Sequence, residues 1–238
     1  VDFQVVASTA DRKALMKTMT DAAAKLQSGA TPTEEVRKAQ SQFAYTGMAA
    51  TKRAYPSDIA AKLDSMAVGQ TSAVFETAFD NTLNVVKLIA KSQQPDSIEY
   101  RQIQVAGATP EAAKKTADSI YTALKAGADF EQLAQKYGQT GAKQWLTSAM
   151  YESSNSIDEE SKNYLNSINS LAVNDVKNLE FAQGNIILQV TARKAMVDKY
   201  EAAVVKHTID FSKTTYSEAY NKFSQFVSEN KTIEDMEK

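Results

Sequence analysis

Residues 123–128 read Ala-Leu-Lys-Ala-Gly-Ala and residues 25–30 read Lys-Leu-Gln-Ser-Gly-Ala, so one type of helix ending occurs twice. Three further pairs of segments recur in the same order, each about 100 residues apart. They are Val-Asp-Phe-Gln-Val-Val-Ala at 1–7 with Tyr-Arg-Gln-Ile-Gln-Val-Ala at 100–106, Ser-Met-Ala-Val-Gly at 65–69 with Ser-Leu-Ala-Val-Asn at 170–174, and Val-Val-Lys-Leu at 85–88 with Ile-Leu-Gln-Val at 187–190. Landmarks that recur in order predict two copies of one domain.

The repeat predicts how the 238 residues divide. We expect a first domain at 1–92 and a second at 98–196, joined by a polar, proline-bearing linker at 93–96. Residues 197–238 are expected to form a strand and an amphipathic helix. Within each copy the order β-α-α-β-α-β-β offers too little sheet for a doubly wound fold, which predicts an α+β class.

The predicted elements follow from periodicity and from capping residues. Alternating apolar residues predict a half-buried strand at 2–7, and Ser8 or Thr9 predicts the start of a helix that ends near Gln27. The remaining predicted helices lie at 33–42, 56–66, 110–126, 129–137 and 157–170, and the remaining strands at 72–76, 82–90, 99–106, 143–146, 178–181 and 184–192.

The end of the sequence differs from both copies. Residues 200–209 alternate as one more strand, and Ser212 predicts a helix to about residue 228. Its apolar side chains form a stripe that must pack on something: Tyr216, Tyr220, Phe223 and Val227. Packing within this chain is one reading, and completion of a third domain from residues upstream is the other. A capping box at 232–235 opens a helix that does not follow, so we expect the sequence to be a fragment of a longer protein.

Composition argues against several kinds of function. The net charge is −2, with 24% charged residues, so neither nucleic acid nor an anionic membrane surface is favoured. The chain has no cysteine and one histidine, His207, which argues against thiolate or histidine metal sites and against Ser-His-Asp catalysis. No glycine-rich phosphate loop with a following Lys-Ser/Thr is present. We therefore expect no cofactor and no metal.

Three motifs of the second copy keep a characteristic order: Leu-Lys-Ala-Gly-Ala-Asp-Phe at 124–130, Leu-Ala-Gln-Lys-Tyr at 133–137 and Gln-Trp-Leu at 144–146. This series resembles the parvulin-type peptidyl-prolyl isomerases over about 100–194, and more faintly over 2–90. The resemblance implies an FKBP-like fold in each copy. The tandem arrangement with a following strand and helix is similar to the periplasmic folding-factor families PpiD and SurA, which implies a cell-envelope protein with an anchor outside this sequence.

The resemblance also identifies where catalytic residues are missing. Parvulins hold two histidines at the floor of the proline pocket. Their positions fall on Gln102 and Ile186 in the second copy (a one-residue shift would give Asn185) and on about Asp2 and Asn84 in the first. Losing a positioned polar or proton-transfer group commonly lowers a rate by ~10²–10⁴-fold. We therefore assign no catalytic residue and expect isomerase activity to be lost or weak.

Four side chains are candidates for a peptide groove by the same resemblance: Trp145, Met150, Tyr151 and Tyr164. Trp145 occupies the family's "Gly-Trp" strand, where packing in the core or rim is the alternative. The polar run at 152–156 replaces the loop that carries Met or Phe in the family.

These observations predict a chaperone-like folding factor. Its expected partners are unfolded or extended polypeptides, with outer-membrane proteins as candidate clients, and not nucleic acid. The expected location is the periplasm, with a tether to the inner membrane through an anchor outside the sequence. Two alternatives stay open: an active peptidyl-prolyl isomerase, and a structural spacer or dimerisation module.

Overall fold

The computed structural model describes residues 3–232, in which seven α-helices and five strands are found. The helices are α1 Thr9–Gln27, α2 Pro32–Lys38, α3 Ser57–Leu63, α4 Pro110–Lys125, α5 Phe130–Lys136, α6 Glu159–Ser170 and α7 Lys213–Glu229. The strands are β1 Phe75–Thr77, β2 Thr82–Val105, β3 Gln144–Thr147, β4 Val176–Phe181 and β5 Gly184–Thr208. The mixed α and β content and the sheet are those expected of an α+β protein.

Local signals in the sequence set the ends of the long helices. The Ser8 hydroxyl accepts a hydrogen bond from the Asp11 N–H at 3.2 Å, and the Asp11 carboxylate accepts one from the Ser8 N–H at 2.9 Å, which is a capping box. Thr109 caps α4 by accepting from the Ala112 N–H at 3.2 Å. The predicted start of α1 is therefore confirmed.

The C-terminal ends of α1 and α4 share one geometry. Gly29 and Gly127 stand at φ of 93° and 96°, in the left-handed region that glycine adopts without strain. The following amides, of Ala30 and Ala128, donate to the carbonyl five residues earlier at 3.0 Å in both cases. This bond pattern is the Schellman ending, which satisfies carbonyls that a helix end would leave unpaired.

The five strands form one sheet in the order β1-β2-β5-β4, with β3 also paired to β2. Three of these pairings are antiparallel: β1 with β2, β3 with β2, and β4 with β5. The register sets Ile98 against Leu146 and Leu179 against Ile186.

The described chain divides into two compact units, and each takes segments from distant parts of the sequence. Unit 1 takes residues 3–45, 69–88 and 202–232, and unit 2 takes 46–68 and 89–201. This division differs from the three consecutive domains predicted at 1–92, 98–196 and 197–238. Strands β2 and β5 each contribute residues to both units.

Three expectations about strands are corrected by the structure. Residues 3–7 have the alternation of a strand but lie outside any strand. The predicted linker at 93–96 lies inside β2, and the pairing of β2 with β3 begins after Pro95, at Ser97. The predicted strands at 184–192 and 200–209 are one continuous strand, β5.

The core of unit 2 consists of two apolar clusters on its sheet. One packs α4 and α5 through Ala117, Ile120, Phe130 and Ala134 against Ile103 and Ile187. The other packs Ile168 of α6 against Ile98, Leu179, Leu188 and Val190. These clusters fix α6 beside β2, β4 and β5, which positions the cleft described below.

In unit 1, the apolar stripe of α7 contacts the segment before α1. The ring of Phe3 lies 4.8 Å from that of Phe223 and 6.5 Å from that of Tyr216, centroid to centroid. Tyr220 remains 51% exposed and Val227 42% exposed, so packing covers the stripe only in part. Across residues 3–232, no helix combines the length and the hydrophobicity that a membrane crossing requires.

Candidate functional site

The two predicted floor positions of the second copy, Gln102 and Ile186, lie together in unit 2. Gln102 is on β2 and Ile186 is on β5, which are neighbouring strands of the sheet. They line a cleft of about 430 Å³. The lining residues come from β2, the start of α6, β4 and β5: Gln102, Gln104, Asp158, Glu160, Ser161, Tyr164, Phe181 and Ile186.

A hydrogen-bonded pair of tyrosines holds the side chain of Gln102. The Tyr164 hydroxyl donates to Gln102 Oε1 at 2.7 Å, and the Tyr100 hydroxyl lies 3.2 Å from the Tyr164 oxygen. The two rings meet edge to face at 6.3 Å between centroids. Burial raises the pKa of Tyr164 well above its usual range, so its hydroxyl stays protonated and remains a donor.

Carboxylates lie at the rim of the same cleft. Asp158 caps α6 by accepting from the Ser161 N–H and hydroxyl, both at 2.8 Å. These hydrogen bonds, that of the backbone N–H foremost, hold the pKa of the Asp158 carboxyl below its usual range. Glu160 accepts from the Ala182 N–H at 2.9 Å. The rim is therefore anionic at neutral pH, whereas the floor of Gln102 and Ile186 is uncharged.

A second cleft, of about 640 Å³, adjoins the first. The two share Gln104, Phe181 and Ile186 as lining residues, so they form one groove with two lobes. Gln139 fixes part of the second lobe, since its side chain accepts from the Gln104 N–H at 2.8 Å and donates to the Gln104 carbonyl at 2.7 Å. The full lining is Gln104, Val105, Ala106, Tyr137, Gln139, Phe181, Gln183, Gly184, Asn185 and Ile186.

The order of elements around this groove, β-α-α-β-α-β-β from β2 through β5, is the order that the second copy predicts. Residues 83–194 match the family model described as the PPIC-type PPIASE domain. A PPIC-type PPIase domain is present. It spans just under half of the 238-residue chain, and one such match is found. No curated protein matches the chain.

Tyr164 is the groove candidate that the structure brings to the floor of the PPIC-type domain, beside Gln102 and Ile186. Trp145 is 39% exposed on β3, with the Lys194 ammonium 4.7 Å from its ring centre. Met150 is 66% exposed. Neither is among the described residues that line the two lobes.

Tyr151 also lies away from the lining of the two lobes. It is 8% exposed, and its hydroxyl accepts from Asn169 Nδ2 at 3.0 Å and from Lys199 Nζ at 3.1 Å. Lys199 is fully buried, so this hydroxyl supplies an acceptor that a buried ammonium requires. The contacts of Tyr151 are those of a core residue.

The one-residue alternative for the second histidine position, Asn185, is 4% exposed and donates from Nδ2 to Asn178 Oδ1 at 2.9 Å. It reaches the second lobe, whereas Ile186 reaches both. Both positions therefore border the groove, and Ile186 is the one that lies beside Gln102 in the first lobe.

The first-copy positions are placed differently. Asn84 is fully buried in unit 1, where Nδ2 donates to Thr77 Oγ1 at 3.0 Å and to Thr82 Oγ1 at 2.9 Å. Its Oδ1 accepts from Lys206 Nζ at 3.2 Å. Asp2 lies outside the described residues. Asn84 is thus part of a buried polar network.

Several lining residues were missed by sequence reasoning, chiefly Gln104, Phe181 and Glu160. The two-residue spacing of Gln102 and Gln104 on one strand was the available signal, because alternate strand residues face the same side. For Phe181 and Glu160 the sequence offers no comparable signal, since their approach depends on how α6 and β4 pack. Within residues 3–232, no group of three or more His, Cys, Asp or Glu side chains could hold a metal ion.

Proposed function

We propose that this chain is a protein-folding factor whose PPIC-type domain binds unfolded or extended polypeptide with lost or weak isomerase activity. The observation that carries the proposal is the floor of the cleft, where an amide, Gln102, and an aliphatic side chain, Ile186, stand at the positions expected for histidines. The groove is retained while the groups expected to act on the X–Pro bond are replaced.

Physical chemistry connects this floor to weak catalysis. Rotation about a peptide bond has a barrier of ~18–20 kcal/mol, and a catalyst must bind the twisted amide better than either planar form. Ile186 offers neither a donor nor an acceptor to that state. Gln102 retains hydrogen-bonding capacity, and the Tyr164 hydroxyl donates to its Oε1 at 2.7 Å.

The size of the groove supports binding of a polypeptide segment. Its lobes, of about 640 and 430 Å³, each fall within the range of ~300–1,000 Å³ usual for ligand clefts. Phe181 and Ile186 supply apolar surface where the lobes join, and the amides of Gln102 and Gln104 lie beside it. This combination suits an extended chain, which presents both apolar side chains and backbone polar groups.

A protease-free isomerase assay on a blocked Ala-Ala-Pro-Phe peptide, combined with a ¹⁵N NMR titration of the whole chain, tests the proposal. We expect an isomerisation rate within about twofold of the uncatalysed one, which takes tens to hundreds of seconds, together with peptide-induced shifts at Phe181 and Ile186. A peptide that moves no cleft resonance would sink the binding proposal.

A histidine-restored variant sharpens the test. Gln102→His combined with Ile186→His returns the residues expected from the parvulin resemblance to the same two backbone positions. We expect the isomerisation rate to rise at least tenfold over wild type. If wild type is already that fast and the variant is no faster, the chain is an active isomerase and the floor residues are sufficient.

The active-isomerase alternative is favoured by one observation, the hydrogen-bonding pair of Tyr164 and Gln102 in the floor. A correctly placed donor can stabilise a twisted amide without proton transfer. The spacer or dimerisation alternative is favoured by the partly exposed stripe of α7, with Tyr216 46% and Tyr220 51% exposed. A concentration-independent monomer in sedimentation would remove the dimerisation reading.

We propose that the chain works in the periplasm, tethered by an anchor outside this sequence, with outer-membrane proteins as candidate clients. The absence of cysteine supports an oxidising compartment. We propose also that residues 1–92 are a degenerate copy of the parvulin-like unit, which the matching ends of α1 and α4 support.

A further inference from the structure

The carboxamide of Gln102 is held in one orientation and has its donors unused. Oε1 accepts the Tyr164 hydroxyl at 2.7 Å. Within residues 3–232, no protein acceptor is hydrogen-bonded to the Nε2 group, and the side chain lines the open cleft. An amide whose oxygen is engaged and whose nitrogen faces a cleft offers N–H donors to a ligand.

Tyr164 determines which end of the amide faces the cleft. Its hydroxyl donates to Gln102 Oε1 at 2.7 Å, which leaves Nε2 as the end of the amide without this partner. The edge-to-face contact with Tyr100, and the Tyr100 hydroxyl 3.2 Å away, fix the ring and the oxygen of Tyr164. Tyr100 thus positions Tyr164, and Tyr164 positions the side chain of Gln102.

We propose that Gln102 Nε2 donates a hydrogen bond to a backbone carbonyl of the bound polypeptide, and that Tyr164 is the positioning residue that turns the amide toward it. The inference rests on the proposed function, since it assumes that a polypeptide occupies this cleft. A polypeptide carries an acceptor carbonyl at every residue, so the contact needs no particular side chain. The substrate class is therefore an extended segment that is recognised through its backbone, with or without proline.

The test uses the whole chain labelled with ¹⁵N and two blocked peptides, Ala-Ala-Pro-Phe and Ala-Ala-Ala-Phe. We expect the side-chain NH₂ signals of Gln102 to shift on addition of either peptide, with dissociation constants that agree within about threefold. Gln102→Met keeps the length of the side chain and removes its donors, and should weaken both peptides about fivefold, the effect of one uncharged hydrogen bond.

Two further variants separate positioning from folding. Gln102→Glu still accepts from Tyr164 but has no donor and faces the ligand carbonyl with a charge, so binding should fall about tenfold or more. Tyr164→Phe keeps the ring and removes the hydroxyl, and should weaken binding two- to fivefold while changing the Gln102 NH₂ signals of the free protein. Gln135, exposed on α5 outside both lobes, gives the matched controls Gln135→Met and Gln135→Glu, which should leave both affinities unchanged.

The outcomes distinguish this inference from the proposed function. If Phe181 and Ile186 resonances shift but the Gln102 NH₂ signals do not, a peptide binds and the donor role is wrong. If Ala-Ala-Pro-Phe binds and Ala-Ala-Ala-Phe does not, recognition requires proline and the backbone reading is overturned. If neither peptide moves any cleft resonance, the proposed function itself fails.

Discussion

The turn at Gly69 and the turn at Asn174 have the same backbone geometry with different residues. The Gly69 N–H donates to the Leu88 carbonyl at 2.7 Å, and the Asn174 N–H donates to the Val190 carbonyl at 2.7 Å. Both turn residues have positive φ, 87° and 68°. These two regions, one in each unit, therefore share a local backbone geometry although their sequences differ.

The same two regions differ in what they do with their polar groups. Asn84 lies in a closed network with Lys206, whose Nζ also contacts Asp80 Oδ2 at 2.7 Å and Thr82 Oγ1 at 3.0 Å. Ile186, at the corresponding sequence position, borders an open groove. The first region is closed around a buried polar network, and the second borders an open cleft.

Gly184 is a glycine packed against backbone in one region, and its substitution should have the largest effect. The alignment of 85–88 with 187–190 pairs Gly184 with Thr82. Gly184 has φ 137°, and a Cβ there would collide with the Val105 carbonyl oxygen. Gly184→Ala should therefore lower the free energy of unfolding by about 3 kcal/mol or more, measured by urea denaturation.

Gly138→Ala is the matched control for that substitution. Gly138 also has positive φ, 73°, but a Cβ there would have nothing within 4 Å. Gly138→Ala should therefore lower the free energy of unfolding by about 1 kcal/mol, from backbone strain alone. Equal losses at Gly184 and Gly138 would show that the close approach to Val105 has no energetic consequence.

A reciprocal exchange tests whether Asn84 and Ile186 have different roles. Asn84→Ile removes the oxygen that accepts from the buried Lys206 ammonium and the N–H groups that donate to two threonine hydroxyls. We expect it to lower the free energy of unfolding, measured in urea, by about 2–4 kcal/mol. Ile186 is a partly exposed residue of the cleft floor, so Ile186→Asn should lower the free energy of unfolding by about 1 kcal/mol.

Asn84→Leu is the control for side-chain shape, because leucine has nearly the shape of asparagine but makes none of its hydrogen bonds. It should reproduce most of the loss seen for Asn84→Ile. A loss at Ile186 as large as the one at Asn84 would contradict the distinction between a closed core and an open cleft.

The sequence predicted the helices well because their ends are set within a few residues. Ser8 and Thr109 cap helices through bonds to amides three residues on, and Gly29 and Gly127 end them through a local φ preference. These signals need no knowledge of the rest of the chain. The mixed fold was accordingly predictable, and the PPIC-type domain was predictable from the ordered motifs at 124–130, 133–137 and 144–146.

The division into units and most of the groove were not predictable in this way. The strand pattern at 3–7 is unpaired and β5 is continuous, because strand pairing depends on partners far along the chain. Tyr164 was found through the parvulin resemblance, and its helix, α6, lies at the cleft. Tyr151 was assigned to a groove, yet the hydrogen bonds from Asn169 and Lys199 hold it in the core, and no spacing rule reveals such partners.

The two turns give a smaller test of the comparison. Gly69→Ala should lower the free energy of unfolding, measured in urea, by about 1 kcal/mol. Alanine at φ 87° is strained, although no atom lies within 4 Å of its Cβ. Asn174→Gly should change stability by less than about 0.5 kcal/mol, since asparagine tolerates φ 68°. A large gain from Asn174→Gly would show that Asn174 is strained and that the two turns are not equivalent.

The smallest expected effect concerns Asp11, which in unit 1 links the starts of α1 and α7. Asp11 Oδ2 accepts from the Thr215 hydroxyl at 2.6 Å and from the Ser8 N–H at 2.9 Å. These bonds, with that of Thr215 foremost, lower the pKa of the Asp11 carboxyl far below its unfolded value of 3.8. A depressed pKa in the folded state means that the stabilisation is present above pH 3.8 and is lost as the pH falls below it.

Asp11→Asn should therefore make the decline of unfolding free energy between about pH 5 and pH 2 shallower. Equal slopes in wild type and Asp11→Asn would show that the junction of α1 and α7 does not depend on this carboxylate.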